Sequence, residues 1–135
     1  MLKVGTTIDH GNRVRLDIDA KLDGMRLYFM KNIAPKTWKA EFWITLNRSN
    51  FAAFRDQLNR LVYGKGDIYS VTEAKLDGVK GQGEVDFSLF VTEAQFGWFV
   101  LTIRNSNTAV RTFECKIRRT ELINFMDETT AFLME

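Results

Sequence analysis

Apolar residues along this chain follow two periods, and the switch between them occurs twice. Most of the sequence alternates apolar and polar residues, the pattern of strands with one buried face. Val14, Leu16, Ile18, Ala20 and Leu22 alternate with Arg13, Arg15, Asp17, Asp19 and Lys21. Phe42, Ile44 and Leu46 alternate with Glu41, Trp43 and Thr45, and Val85, Phe87, Leu89 and Val91 with Asp86, Ser88, Phe90 and Thr92. Phe113, Cys115 and Ile117 continue the pattern, and Trp98 to Ile103 is apolar on both faces except at Thr102. Turn-forming residues at His10-Gly11-Asn12, Asp23-Gly24, Asn32 to Pro35, Asp77 to Gly83 and Asn105-Ser106-Asn107 mark hairpin connections.

Two segments change to the helical period. Phe51, Phe54, Leu58 and Leu61 stand at offsets 0, 3, 7 and 10, one apolar stripe on a helix over 48–61. Ser49 is the expected N-cap, with Gly64 and Gly66 ending the helix. Near the C-terminus Leu122, Phe125, Met126, Thr129, Phe132 and Leu133 form a second stripe, with Thr120 as cap and Glu121 favourably placed in the first turn. The two helices together are expected to bury Phe51, Phe54, Phe125 and Phe132.

The order is four strands and a helix, twice. A shift of 71 residues superimposes Phe42 on Phe113, Arg48 on Arg119, Phe54 on Phe125 and Asp56 on Asp127 as identities. It also aligns Ile44 with Cys115, Leu46 with Ile117, Ser49 with Thr120, Phe51 with Leu122 and Leu61 with Phe132. The expected fold is α+β: one domain over 1–135, made of two tandem ββββα units (1–64 and 65–135). Their antiparallel sheets carry two helices packed on one side.

Composition changes this picture modestly. A 135-residue chain with 45% hydrophobic and 27% charged residues suits one folded domain, and 13% aromatics favours sheets. Net charge is only +2, but residues 1–66 carry +6 and residues 67–135 carry −4. That asymmetry points to an anionic partner for one half or to head-to-tail self-association. Cys115 is the only cysteine, so a disulfide within the chain is excluded and a reducing compartment expected. With no apolar h-region at the N-terminus and no run long enough to span a bilayer, the expected location is the cytoplasm.

Catalytic chemistry finds little support in the residues. His10 is the sole histidine and sits beside Gly11 and Asn12, so neither a zinc cluster nor a Cys-His pair can be assembled. Cys115 alternates with Phe113 and Ile117 and reads as a small core residue. Asp17 with Asp19, and Glu84 with Asp86, share strand faces and could hold Mg²⁺, but solvated strands produce such pairs routinely. Gly78 to Gly83 is not a Walker motif and reads as a mobile hairpin loop. The expectation is a non-enzymatic protein with no cofactor and no metal.

Aromatic residues on polar strand faces are the feature the core does not account for. Alternation turns Trp43 outward beside Lys39 and Glu41, Phe90 away from the Phe87 row, and Trp98 outward with Thr102 and Arg104. Flat rings beside cations suit stacking of unpaired bases. Arg26, Tyr28, Lys39, Trp43, Phe90, Trp98, Arg104 and Lys116 form the candidate nucleic-acid surface, which Lys31 could extend. The same rings could equally be buried against the other unit or in a homodimer.

Phe54-Arg55-Asp56-Gln57-Leu58 and Gly97-Trp98-Phe99-Val100-Leu101 resemble the helix and Gly-x-Phe strand signatures of the PUR-repeat family. The tandem strand-strand-strand-strand-helix order is similar to that family and to the whirly proteins. This resemblance implies single-stranded DNA or RNA binding on a sheet face; open sheet edges and aromatic faces, which seek partners, add the expectation of a homodimer. The outline from Gly66 to Ser70, Gly97, and Phe113 to Leu122 also resembles immunity proteins of bacterial polymorphic-toxin systems, which implies a protein partner instead.

Overall fold

The computed structural model describes residues 2–9, 12–19, 24–64, 68, 71–81, 83, 85–95, 97–108 and 111–133. Within that set, side chains are described from Arg26 to Thr130 apart from Arg111 and Thr112. The fold is α+β. In chain order the elements are β1 (Leu2–Asp9), β2 (Asn12–Asp19), β3 (Gly24–Ala34), β4 (Thr37–Asn47), α1 (Arg48–Tyr63), β5 (Glu73–Gly81), β6 (Asp86–Gln95), β7 (Trp98–Asn105), β8 (Arg111–Arg118) and α2 (Arg119–Leu133). The strands form one antiparallel sheet in the order β1 to β8, so each strand pairs with its sequence neighbours. The expected pair of sheets is therefore a single sheet. Its halves join through a short junction: among the described residues, β4 and β5 are paired at Ile44–Gly81 and Thr45–Lys80.

The inner face of this sheet follows the alternation. Leu27 and Phe29, Phe42, Ile44 and Leu46, Phe87, Leu89 and Val91, Phe99, Leu101 and Ile103, and Phe113, Cys115 and Ile117 are all buried in one core with the helix stripes. Phe29 stacks on Phe42 at 4.7 Å and meets Phe113 at 5.2 Å, while Phe42 reaches Phe87 at 5.7 Å and Phe113 at 5.9 Å. Rings from β3, β4, β6 and β8 can touch only if the sheet curls on itself. The strands at its two ends, β1 and β8, approach each other, and α2 lies against both.

Each helix grows directly out of the strand before it. The α1 cap is Asn47, whose side chain accepts from the Asn50 N–H at 2.7 Å, so the expected Ser49 cap is displaced by two residues. Likewise α2 starts at Arg119, which leaves Thr120 inside the helix, with Glu121 in its first turn as expected. The Arg119 N–H donates to the Gly97 carbonyl at 2.8 Å and fixes this start against the β6–β7 turn. Gly64 ends α1, its N–H donating to the Arg60 carbonyl; Gly66 lies outside the described residues.

The helices meet through Phe51 and Phe125, edge to face at 6.4 Å, and through Arg55. The Arg55 Nε donates to the Met126 carbonyl at 3.2 Å, and its guanidinium also donates to the Thr130 hydroxyl. Thr129 is fully buried because its hydroxyl returns to the Phe125 and Met126 carbonyls at 2.8 and 3.1 Å. The side chains of Phe132 and Leu133 lie outside the described residues. Every residue of the Phe54-Arg55-Asp56-Gln57-Leu58 segment thus has a local role. Phe54 and Leu58 are buried, Arg55 joins the helices, and Asp56 pairs with Arg60 at 3.2 Å. Gln57 accepts the Lys75 N–H at 2.8 Å and ties α1 to β5.

Two connections differ from expectation. The break expected over Asn32 to Pro35 moves outward, because β3 continues to Ala34 and the turn is Pro35–Lys36. Lys36 takes a φ of 62°, the one left-handed non-glycine among the described residues, at a cost on the order of 1 kcal/mol. The expected loop from Asp77 to Gly83 is largely strand: β5 runs through Gly81 with a bulge between Leu76 and Val79, where Gly78 supplies a φ of 66°. The turns expected at His10–Gly11 and at Asp23 lie outside the described residues.

Gly81 makes the junction possible. A Cβ there would stand 2.3 Å from the Phe87 ring and 3.1 Å from the Trp43 carbonyl oxygen. Gly81→Ala must push Phe87 out of the aromatic cluster, and urea denaturation should record a loss of about 1–3 kcal/mol; an unchanged midpoint would contradict this packing. Arg55→Ala should cost about 1.5–3 kcal/mol by the same measurement, as expected for a charged donor leaving two acceptors.

Candidate nucleic-acid interface

The face of the sheet opposite the helices carries seven of the eight candidate residues, in two clusters. The first lies on β3 and β4. Tyr28 is opposite Trp43 and Arg26 opposite Thr45, and the Arg26 guanidinium carbon sits 4.1 Å from the centre of the Trp43 ring. Arg26 is exposed, and both Tyr28 and Trp43 are half-buried. In register, Arg15 and Asp17 of β2 stand opposite Tyr28 and Arg26.

The second cluster spans β5 to β8. Lys75 pairs with Phe90, Phe90 with Thr102 and Thr102 with Glu114 across the strands. Lys75 and Arg104 approach the Phe90 ring at 5.4 and 5.6 Å. Lys116 is exposed opposite Val100. Trp98 is half-buried, with Arg118 opposite in register and 5.3 Å from its ring centre. Trp43, Phe90 and Trp98 therefore each carry a cation from a neighbouring strand.

Lys39 does not belong to this face. Plain alternation places it beside Trp43, but the pairing skips Glu41: Phe42 stands opposite Phe29, then Ala40 opposite Met30 and Lys39 opposite Lys31. That bulge turns Lys39 to the side of Phe29 and Lys31. With Lys31, Ile33, Ala40 and Glu41 it lines an open depression of about 440 Å³. The same shift brings Trp38, opposite Asn32, to the side of Tyr28, Met30 and Trp43. Met30 is buried, yet stands apart from the core cluster, as a residue covered on the outer face would.

Trp38, Lys75 and Arg118 are absent from the sequence-derived set. Trp38 was hidden by the bulge and by the displaced turn. Lys75 and Arg118 gain their places from cross-strand register, which no single strand discloses; a pattern of Lys or Arg across from an outward ring is the only signal that could have marked them.

The face is mixed in charge. Asp77 pairs with Lys75 at 3.3 Å and Asp86 with Lys80 at 2.7 Å, and Glu73 and Glu114 are exposed among the cations. The Ser88 hydroxyl, buried on this side, donates to Asp77 at 2.8 Å and lies 3.0 Å from the Ser106 hydroxyl. These bonds hold the bulged β5 against β6 and the turn after β7. Asp86, one of the carboxylates considered for a metal, is thus engaged with Lys80. Among the described residues, no three His, Cys, Asp or Glu side chains gather at one point. Cys115 is buried between Phe113 and Ile117, a core position. The arrangement places a cation 4.1 to 5.6 Å from the centre of each of the Trp43, Phe90 and Trp98 rings.

Each exposed cation–ring pair should contribute about 0.5–1 kcal/mol. A double-mutant cycle of Arg26→Ala with Trp43→Ala, followed by urea unfolding, should return a coupling of that size. A zero coupling would mean that the guanidinium does not rest on the ring in solution.

Comparison of the chain with protein-family models and with curated proteins finds no match.

Proposed function

We propose that this protein is a non-enzymatic binding module that holds single-stranded DNA or RNA on the outer face of its sheet. The observation that carries the reading is the outward row of rings, Trp43, Phe90 and Trp98, each with Arg or Lys within 4.1 to 5.6 Å. A base stacked on an aromatic ring contributes about 1–3 kcal/mol, against about 0.5–1 kcal/mol for an exposed internal cation–ring pair. A strand can therefore lift Arg26 or Arg118 from its ring, and the released guanidinium stays near enough to meet the phosphate. The element order, four strands and a helix followed by four strands and a helix, supports the tandem-unit architecture of the PUR and whirly kind. Both helices start at positions 71 residues apart, Arg48 and Arg119. A homodimer acting in the cytoplasm completes the proposal.

A second reading, a protein-recognition module such as a toxin-neutralising immunity protein, draws on the acidic residues of the same face. Glu73, Asp77, Asp86 and Glu114 alternate with the cations, and mixed charge around aromatics also suits a protein partner.

Fluorescence anisotropy with mixed-sequence single strands at two salt concentrations separates the two. Nucleic-acid binding predicts an affinity that falls steeply with salt and weakens in Trp43→Ala, Trp98→Ala and Arg104→Ala. No salt-sensitive binding by the wild-type protein would overturn the first reading and leave the second.

A further inference from the structure

Lys39, which the outer face leaves out, has a setting of its own. In the β3–β4 ladder it stands directly opposite Lys31, and like charges facing each other across strands lower stability. The pair is poorly neutralised. Glu41 reaches Lys31 at a loose 4.0 Å, and among the described residues no ion pair joins Lys39 to an acid. The two residues that the ladder skips flank this pair. Glu41 is the extra residue of β4 between Phe42 and Ala40, and Ile33 is the extra residue of β3 between Asn32 and Ala34. A bulge bends its strand and re-aims the side chain it inserts. Here two bulges, one on each strand, bring Ile33 and Glu41 to the same depression as Lys31, Lys39 and Ala40, about 440 Å³ in volume. All five residues are exposed, and Ile33 keeps 60% of its surface in solvent, so a ligand can enter.

We infer that this depression is an anion site, separate from the outer face, and that it takes a small phosphate monoester. Two facing ammonium groups repel each other until a doubly charged group lies between them, a match that a single carboxylate does not provide. Lysine binds phosphate as a compact point charge and needs no fixed fork geometry, which suits two side chains rising from opposite strands. Ile33 and Ala40 offer an apolar wall to the body of the ester. Glu41 competes for Lys31 in the empty site and can accept from a ligand hydroxyl in the filled one. The volume falls within the range of small-molecule pockets, roughly 300–1,000 Å³. None of this depends on nucleic-acid binding, since Lys31 and Lys39 lie on the side of the hairpin away from Trp38 and Trp43.

The test titrates phenyl phosphate, and benzoate as its carboxylate counterpart, into the full isotope-labelled chain and follows amide shifts by NMR. Phenyl phosphate should move Lys31, Ile33, Lys39, Ala40 and Glu41, bind more tightly than benzoate, and tighten as pH rises through about 6, where the ester gains its second charge. Lys39→Met keeps the aliphatic stem and should weaken binding roughly tenfold, the loss of one charge-assisted contact. Without ligand the same variant should hold or raise Tm, because the facing charges are gone. Glu41→Gln should tighten binding by roughly two- to fivefold, since it removes the competing carboxylate. Equal affinity in the wild-type protein and both variants would reduce the effect to diffuse attraction and overturn the site, as would the absence of shifts at millimolar phenyl phosphate. Benzoate binding as tightly as phenyl phosphate, or an affinity flat across pH 5 to 7.5, would overturn the phosphate assignment.

Discussion

Four phenylalanine rings decide the shape of this molecule. Phe29, Phe42, Phe87 and Phe113 come from strands on both sides of the short β4–β5 junction, yet Phe29 lies 4.7 and 5.2 Å from Phe42 and Phe113, and Phe42 lies 5.7 and 5.9 Å from Phe87 and Phe113. A flat eight-stranded sheet would hold β3 and β8 far apart. Contact between Phe29 and Phe113 therefore requires the sheet to close around its own core. Burying four such side chains offsets the small number of hydrogen bonds between the halves; removing one is worth roughly 3–5 kcal/mol. Gly81 belongs to the same constraint, since the Phe87 ring occupies the space of its missing side chain. The helices then fill the remaining concavity with Phe51, Phe54, Leu58, Leu122, Phe125 and Met126.

Curling has a consequence for the outer surface. Both helices and the inner rows are committed to the core, and on the opposite face the rings of Trp43, Phe90 and Trp98 have cationic neighbours from adjacent strands. Arg26, Lys75, Arg104 and Arg118 are those neighbours. The resulting pairs are shallow and reversible, because a cation–ring contact in water is weaker than stacking on a planar base. A surface that covers itself weakly can exchange that cover for a ligand.

Much of the fold was legible in the sequence because alternation alone separates Phe42, Ile44 and Leu46 from Trp43 and Thr45, and Phe87, Leu89 and Val91 from Phe90 and Thr92. The helical stripe from Phe51 to Leu61 was legible for the same reason. What the pattern could not show is register. Lys39 and Trp38 exchanged faces because one residue, Glu41, is skipped in the pairing with β3, and a bulge is a property of two strands. β5 escaped notice since its Asp77-Gly78 step imitates a turn, while the bulge there keeps Ala74 and Val79 both buried. The α1 cap moved to Asn47 because this last residue of β4 holds the Asn50 N–H, and α2 begins at Arg119 directly after β8, one residue before the cap expected at Thr120. Among the site residues, rings were easier to find than their cations: Trp43, Phe90 and Trp98 stand out of alternation, whereas Lys75 and Arg118 matter only through what lies across from them.

The central claim is that the face opposite the helices is the binding surface. Amide chemical-shift mapping by NMR, with a short unlabelled single strand added to the labelled protein, tests it most directly. The account predicts shifts at Arg26, Tyr28, Trp38, Trp43, Phe90, Trp98 and Arg118, with α1 and α2 undisturbed. Shifts confined to the helices, or none at a saturating strand concentration, would contradict it.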